Sequence, residues 1–177
     1  EEIISSPKVD AKLLDKALEI FSKHQITSGE ILDVGCGPGN LKTFLGENFT
    51  YTGIDLSDKM LEIAKSRGYK TIEGKIEEIL PTMEDKSFDY VIAVSSLHFV
   101  EDIKFVLAQF ERIARKGYLA SLDVITEQYK QGFRTVCDDP VYDHSKTQIE
   151  GLAEDVTFPG WISPRGPETM YIRMVFK

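Results

Sequence analysis

Three glycines at alternate positions, Gly35, Gly37 and Gly39, separate an apolar segment from a helical pattern. The apolar segment is Glu30–Val34, and the helical pattern begins near Asn40. Residues without a Cβ atom allow a tight turn from strand to helix and let a ligand approach the backbone closely. The first N–H groups of the helix carry a partial positive charge that suits a carboxylate or a phosphate. The loop therefore indicates either a ligand site at a strand–helix junction or an ordinary glycine-rich turn.

The chain as a whole alternates between strand-like and helix-like segments. Short apolar runs predict strands, and apolar residues at helical spacing predict helices. The predicted strands are Glu30–Val34, Tyr51–Ile54, Lys70–Glu73, Phe88–Val94, Tyr118–Val124, Asp155–Phe158 and Met170–Phe176. The predicted helices are Val9–His24, Asn40–Gly46, a helix capped by Ser57 or Asp58 that ends near Arg67, Asp102–Arg115, and a further helix around Glu127–Val136. This order indicates an α/β fold with a mostly parallel sheet, to which the last two strands would add an antiparallel hairpin.

Composition narrows the classes of partner. Lys and Arg number 21 and Asp and Glu number 29, so the net charge of −8 disfavours nucleic acid and anionic membranes and suits a cationic ligand. The sequence contains no apolar run of about 18 residues, so no membrane span is predicted. Two cysteines are too few for a disulfide scaffold, which favours a reducing, cytoplasmic location. The three histidines lie far apart, and no metal site is predicted.

Two aspartates narrow the choice of ligand. Asp55 follows the second predicted strand, 20 residues beyond Gly35, where an acid can accept hydrogen bonds from both hydroxyls of a ribose. Dinucleotides and S-adenosylmethionine both fit that arrangement. The loop has the spacing G-x-G-x-G, with Pro38 at its fourth position, rather than the G-x-G-x-x-G of dinucleotide sites. Asp33 precedes the loop, where a carboxylate would repel a pyrophosphate and attract an ammonium or sulfonium, so the residues favour S-adenosylmethionine.

Four segments of the sequence resemble the motifs of a known family. Ile31–Leu41, Tyr51–Leu61, Ser87–Glu101 and Phe110–Val124 are similar, in order and spacing, to the motifs of class I S-adenosylmethionine-dependent methyltransferases. The resemblance implies a three-layer, Rossmann-like sheet with helices on both faces. It also implies a single methyltransferase domain over residues 1–177, divided into an N-terminal helical segment (1–28), a cofactor-binding half (29–124) and an acceptor-side half (125–177).

The same resemblance implies roles for individual residues. The three loop glycines would line the methionine and ribose portions of the cofactor. Asp33 would bind the amino group, directly or through water, and Asp55 would hold the ribose hydroxyls. The remaining implied cofactor contacts are Leu56 and Met60 near the adenine, the backbone carbonyl of Ser95 at the methionine ammonium, and the loop residues Cys36 and Asn40. For Cys36, a small packing residue of the loop is the alternative interpretation.

One position departs from the family pattern. Members of the family often have Gly-Asp-Ala after the third strand, with the aspartate reaching the adenine amino group. The corresponding residues here are Gly74, Lys75 and Ile76. Because a lysine side chain cannot accept a hydrogen bond, we expect either backbone contacts from Lys75 and Ile76 or a replacement by a neighbour such as Glu77.

The sequence constrains the acceptor less than the cofactor. Methyl transfer from a sulfonium needs a positioned nucleophile, and it needs a base only where the acceptor loses a proton. His98, after the fourth predicted strand, is the candidate catalytic residue, with a packing or capping histidine as the alternative. His144 lies in a polar, irregular segment that would either cover the substrate or form a solvated loop.

The chain offers no large insertion that could recognise a polymer, so we expect a small-molecule acceptor and a monomer or homodimer. Three other functions fit the same residues. They are methylation of RNA or protein, cofactor binding by a partner subunit without activity of its own, and, more remotely, nicotinamide-dependent oxidation. The acidic net charge argues against RNA, and the glycine spacing argues against a nicotinamide cofactor.

Overall fold

The structure, a computed structural model, describes residues 15, 17–123, 142, 144, 156–157, 162–163, 166–167 and 170–176. Five parallel strands form the centre of the fold. They are β1 (Gly29–Val34), β2 (Phe49–Asp55), β3 (Lys70–Glu73), β4 (Phe88–Ala93) and β5 (Ala114–Asp123). Their order in the sheet is β3-β2-β1-β4-β5, with β1 between β2 and β4. The predicted α/β fold with a parallel sheet is confirmed.

Helices connect these strands. Residues 17–23 form α1, the described part of the predicted first helix. The others are α2 (Asn40–Leu45), α3 (Asp58–Ser66), α4 (Ile76–Ile79) and α5 (Ile103–Ile113), with 3₁₀ turns at Leu80–Thr82 and Leu97–Phe99. The Ser57 side chain accepts a hydrogen bond from the Met60 N–H (3.4 Å), so Ser57 caps α3. Among the described residues, no helix has both the length and the apolar character that crossing a bilayer requires.

Each face of the sheet has its own apolar core, because successive strand residues point to opposite sides. On one face, Leu32 of β1 packs in the cluster that contains Phe110 of α5. On the other face, Ile31 belongs to the cluster that contains Phe21 of α1 and Leu61 of α3. Helices therefore cover the sheet on both sides and bring the carboxyl ends of β1, β2 and β4 to one edge.

The junction between α5 and β5 differs from the sequence prediction of a helix to Arg115 and a strand from Tyr118. The strand begins at Ala114, directly after the helix, and Ala114 already has extended backbone (φ −76°, ψ 129°). Ala114 pairs with Phe88 of β4, which makes the start of this segment part of the sheet. The Arg115 guanidinium also forms ion pairs with Asp89 near the start of β4 and, across β4, with Glu30 of β1.

The described C-terminal residues extend the sheet beyond β5. Strand β9 (Met170–Phe176) pairs antiparallel with β5, and β6 (Val156–Thr157) pairs antiparallel with β9. A separate two-stranded ladder joins β7 (Ile162–Ser163) to β8 (Gly166–Pro167). Four predicted elements lie wholly or partly outside the described residues: residues 9–14 and 16 of the first helix, residue 124 of the fifth strand, residues 155 and 158 of the sixth strand, and the whole helix predicted around Glu127–Val136.

Candidate functional site

The glycine loop is fastened to the end of β2 by three backbone donors. The N–H groups of Gly35 and Cys36 donate to the carbonyl of Ile54, at 2.8 and 2.9 Å. The Gly37 N–H donates to Asp55 Oδ2 at 2.8 Å. Asp55 therefore contacts the loop directly, and the two features that the sequence singled out meet at the carboxyl edge of the sheet.

The three loop glycines are needed for different physical reasons. Gly35, Gly37 and Gly39 have φ angles of 68°, 50° and 75°, in the left-handed region that favours glycine. A Cβ atom on Gly35 would collide with Ser96 Cβ, and one on Gly39 would lie 2.8 Å from the Tyr69 ring. A Cβ atom on Gly37 would meet no protein atom within 4 Å. Close packing therefore requires glycine at positions 35 and 39, and of the three loop glycines only Gly37 adjoins open space where a ligand could approach.

Both carboxylate oxygens of Asp55 already accept a backbone hydrogen bond. Oδ2 accepts from Gly37 N–H, and Oδ1 accepts from Ser57 N–H at 2.9 Å. The side chain is half-buried, and each oxygen has a second lone pair for an additional donor. Asp55 can therefore orient the glycine loop, the start of α3 and a ligand hydroxyl at the same time.

Asp33 lies beneath the loop and is 4% exposed. Tyr69 Oη donates a hydrogen bond to Asp33 Oδ2 at 3.0 Å. Burial raises the pKa of Asp33 to about 7; the Tyr69 hydrogen bond opposes this rise and the nearby Asp55 charge adds to it. A carboxyl with such a pKa becomes fully ionised when a cation arrives, which suits a ligand ammonium.

Tyr69 supports the site and was not singled out from the sequence. Its ring stacks on Tyr51, with centroids 5.0 Å apart, and lies under both Gly39 and Gly53. The signal was weak, because one aromatic residue before a strand has the same pattern as an ordinary core residue. Only the fold brings its hydroxyl to Asp33.

The turn after β4 connects the neighbouring strands. Ser95 has φ +55°, and its N–H donates to Ser121 Oγ on β5 at 2.7 Å. Ser96 Oγ donates to the carbonyl of Val34 on β1, also at 2.7 Å. The turn thus lies against the glycine loop, as the predicted role of Ser95 requires.

The predicted adenine side of the site lies beyond Asp55. Leu56 is 55% exposed, which is unusual for a leucine next to a buried strand, and Met60 is half-buried. The Gly74 N–H donates to the Asp55 carbonyl at 3.0 Å, so the end of β3 lies close to this acid. Lys75 is exposed at the N-terminus of α4 and Ile76 is half-buried. The exposed apolar side chain of Leu56 and the end of β3 therefore lie next to Asp55.

Two other predicted cofactor contacts, Cys36 and Asn40, have side chains that contact neighbouring protein atoms. The Cys36 thiol is buried beneath the loop, where a Cβ atom on Gly53 would collide with Sγ. Its burial, together with the charges of Asp33 and Asp55, raises the thiol pKa and keeps it protonated. Asn40 Oδ1 accepts a 2.6 Å hydrogen bond from the Arg67 guanidinium. Both side chains therefore contact protein, as the packing interpretation of Cys36 expected.

The two candidate acceptor-side histidines, His98 and His144, lie together at the Leu97–Phe99 turn. His98 is 5% exposed in the Leu97–Phe99 turn, and its ring lies 4.1 Å from that of Phe99. His144 is 1% exposed, and its Nε2 donates to the Leu97 carbonyl at 2.9 Å. The Tyr142 N–H donates to the His98 carbonyl at 2.8 Å. Residues 142 and 144 therefore pack on this turn, and His144 is not in a solvated loop.

This geometry defines a class of protein. An open parallel sheet with a glycine loop after β1 and an acid after β2 is the arrangement of nucleotide-binding α/β domains, whose ligands lie at the carboxyl edge of the strands. Residues 32–121 match the model of the family described as methyltransferase domain. The chain belongs to that family, which confirms the family predicted from the sequence motifs.

Two curated relatives of this chain are named as methyltransferases. The chain is 30% identical over 149 residues to the demethylmenaquinone methyltransferase of Staphylococcus aureus (strain MRSA252), covering 73% of this chain and 61% of the relative. It is 36% identical over 95 residues to the 27-O-demethylrifamycin SV methyltransferase of Amycolatopsis mediterranei (strain S699), covering 49% of this chain and 35% of the relative. The chain thus spans less than two thirds of the length of either relative.

Solved structures have the same fold. Magnesium protoporphyrin IX methyltransferase from Synechocystis PCC 6803, solved with bound SAH, superposes with a TM-score of 0.68 at 16% identity, covering 98% of this chain and 88% of that one. A possible histamine N-methyltransferase from Thermotoga maritima superposes with a TM-score of 0.60 at 21% identity, covering 96% of this chain and 92% of that one. Both confirm the Rossmann-like architecture.

Proposed function

We propose that this chain binds S-adenosylmethionine and transfers its methyl group to a small-molecule acceptor. The main support for the proposal is the hydrogen bond from the Gly37 N–H to the Asp55 carboxylate. The carboxylate keeps lone pairs for a ligand, and Gly37 is the one loop glycine that adjoins open space. Membership of the methyltransferase family supports the reaction class. The named substrates of the curated relatives, demethylmenaquinone and 27-O-demethylrifamycin SV, support a small-molecule acceptor.

In this proposal each end of the cofactor meets a different part of the site. Asp55 accepts hydrogen bonds from the ribose hydroxyls. Gly37 leaves space for the ribose and methionine, and Asp33 balances the charge of the ammonium from below the loop. Ser95 offers a backbone carbonyl to the same ammonium, and exposed Leu56 packs on the adenine.

Methyl transfer requires the protein mainly to position the two reactants. Bound at this site, S-adenosylmethionine would supply an activated methyl group. An acceptor atom held in line with the C–S bond would take that methyl group, the C–S electron pair would return to sulfur, and S-adenosylhomocysteine would be the product. Holding the two reactants in contact supplies most of the acceleration. His98 is the candidate group for removing a proton where the acceptor carries one.

The proposal extends to the whole chain. We infer that residues 1–177 form one methyltransferase domain, that β6 and β9 belong to a C-terminal hairpin, and that residues 125–177 contribute the acceptor side. The docking of Tyr142 and His144 on the His98 turn supports that division. A monomer or homodimer in the reducing cytoplasm is the expected state, in keeping with the free, protonated thiol of Cys36.

Binding of S-adenosylhomocysteine tests the proposed function. A ligand that binds only the folded state at about 100 times its Kd stabilises that state by about 2.7 kcal/mol. For a domain of this size, such a gain corresponds to a rise in Tm of roughly 5–10 °C. Thermal denaturation is to be compared with S-adenosylhomocysteine and with NAD. A rise with NAD and none with S-adenosylhomocysteine would overturn the proposal.

Gly37→Ala is expected to weaken cofactor binding far more than it weakens the fold. The added methyl enters the space assigned to the ligand, so we expect the Kd for S-adenosylhomocysteine to rise at least about tenfold, while the left-handed φ costs about 1–2 kcal/mol of stability. Gly46→Ala is the matched control, because Gly46 also has a positive φ (86°) and open space around its Cβ position. Calorimetric titration of both variants checks the contrast. Equal affinities would remove Gly37 from the site.

A further inference from the structure

The turn after β4 contains a strained residue at the proposed cofactor site. Among the described residues, three that are not glycine have positive φ: Gln25, Lys86 and Ser95. Gln25 and Lys86 are exposed, whereas Ser95 is half-buried next to the glycine loop. A left-handed conformation costs a residue with a Cβ atom roughly 1–2 kcal/mol, so it persists only where surrounding contacts impose it.

One contact that imposes this conformation comes from the neighbouring strand. The Ser95 N–H donates to Ser121 Oγ at 2.7 Å, and Ser121 is 1% exposed on β5. A buried hydroxyl at this distance satisfies the Ser95 N–H only while the turn keeps its present shape.

The other side of the turn is fastened to β1. Ser96 Oγ donates to the Val34 carbonyl at 2.7 Å. The Cβ position of Gly35 is filled by Ser96 Cβ, so the turn and the glycine loop fit together without spare room. The Ser95–Ser96 turn is thus held between β1 and β5, and its strain lies where a ligand would contact it.

We propose that Ser121 is a positioning residue for the cofactor: its buried hydroxyl holds Ser95 in the left-handed conformation in which the Ser95 backbone meets the methionine end of S-adenosylmethionine. This inference rests on the proposed function. Ser121 itself touches the turn rather than the cofactor. Its effect is therefore conformational, and glycine at position 95, which adopts positive φ without the Cβ penalty, should reduce the need for it.

The test uses three variants of the whole chain and S-adenosylhomocysteine as the probe. Ser121→Ala is expected to raise the Kd roughly fivefold to tenfold, the size of effect that losing one hydrogen bond produces. Ser95→Gly in the Ser121→Ala background is expected to recover most of that loss, and the affinity of Ser95→Gly alone is the reference for this double variant.

A fourth variant separates positioning from general destabilisation. Val106→Ala removes buried side-chain volume in α5, outside the Ser95–Ser96 turn and the glycine loop, and is expected to lower Tm with the Kd unchanged. The inference is overturned if Ser121→Ala binds like wild type, if Val106→Ala weakens binding as much as Ser121→Ala, or if Ser95→Gly restores nothing. Failure of wild-type protein to bind S-adenosylhomocysteine would instead overturn the proposed function.

Discussion

Replacing Asp33 by Asn is expected to stabilise the unliganded protein at pH 8 and to weaken its affinity for the cofactor. Asp33 is buried, and burial is the largest cause of the rise of its pKa from 3.8 to about 7. Between these two values the folded state keeps a proton that the unfolded state has lost. The free energy of unfolding therefore falls as the pH rises from about 4 to 7, by an amount on the order of a few kcal/mol.

Asparagine is a close match for the protonated aspartate. It has nearly the same shape, it remains neutral at every pH in this range, and its carbonyl can still accept the Tyr69 hydrogen bond. We expect Asp33→Asn to denature at a Tm roughly 5 °C or more above wild type at pH 8. At pH 5 the difference in Tm should be smaller, because only the ionisation of Asp33 in the unfolded wild type separates the two proteins there. The Tm values should meet near pH 4 and below, where Asp33 is protonated in both states.

Thermal denaturation of both proteins from pH 5 to pH 8 measures this effect, and titratable groups that the two share cancel in the difference. If the Tm values of the two proteins changed in parallel with pH, Asp33 in the folded state would have the pKa of an ordinary surface acid. In the presence of S-adenosylhomocysteine the difference in Tm should narrow, because the ligand ammonium favours the ionised carboxylate that only wild type can supply. The variant should then gain less stability from the ligand.

Much of the fold could be predicted from local pattern. The strand of Lys70–Glu73 has the predicted bounds, and α2 and α3 begin at or within a residue of their predicted starts. Glycine, capping serine and apolar periodicity act over a few residues, so they are visible in the sequence. The predicted α5–β5 junction was wrong because pairing with Phe88 of β4, far away in the sequence, makes Ala114 part of a strand.

The candidate site, like the fold, could be predicted from the sequence only in part. The glycine loop and Asp55 form a sequence motif and were predicted together. The support from Tyr69 and Ser121 depends on contacts that cross 36 and 26 positions of the chain. Neither residue type is distinctive in its own segment. Local sequence pattern therefore identified the residues proposed to contact the ligand, and the fold revealed the side chains that hold them in position.

Asp55→Ala is expected to cause the largest loss of cofactor affinity. The substitution removes the proposed acceptor of the ribose hydroxyls, and hydrogen bonds to a charged acceptor are worth about 1–3 kcal/mol each. It also releases the Gly37 and Ser57 N–H groups, which loosens the loop and the start of α3. The Kd for S-adenosylhomocysteine should rise by about tenfold to a hundredfold or more, since 1.4 kcal/mol is a factor of ten.

Two further substitutions make that loss interpretable. Asp58→Ala removes the same charge from an exposed residue three positions away, in the first turn of α3, and should bind with wild-type affinity. Asp55→Asn keeps the shape but replaces one acceptor oxygen by a donor, so it can satisfy only one of the two backbone N–H groups. It should fall between wild type and Asp55→Ala.

Isothermal titration of S-adenosylhomocysteine into wild type, Asp55→Ala and Asp58→Ala tests whether the cofactor lies at the carboxyl edge of β1 and β2 with its ribose on Asp55. We expect one site per chain in wild type, the same affinity in Asp58→Ala, and a loss of at least about tenfold in Asp55→Ala. Equal binding by Asp55→Ala and wild type, or no binding by wild type at all, would contradict it.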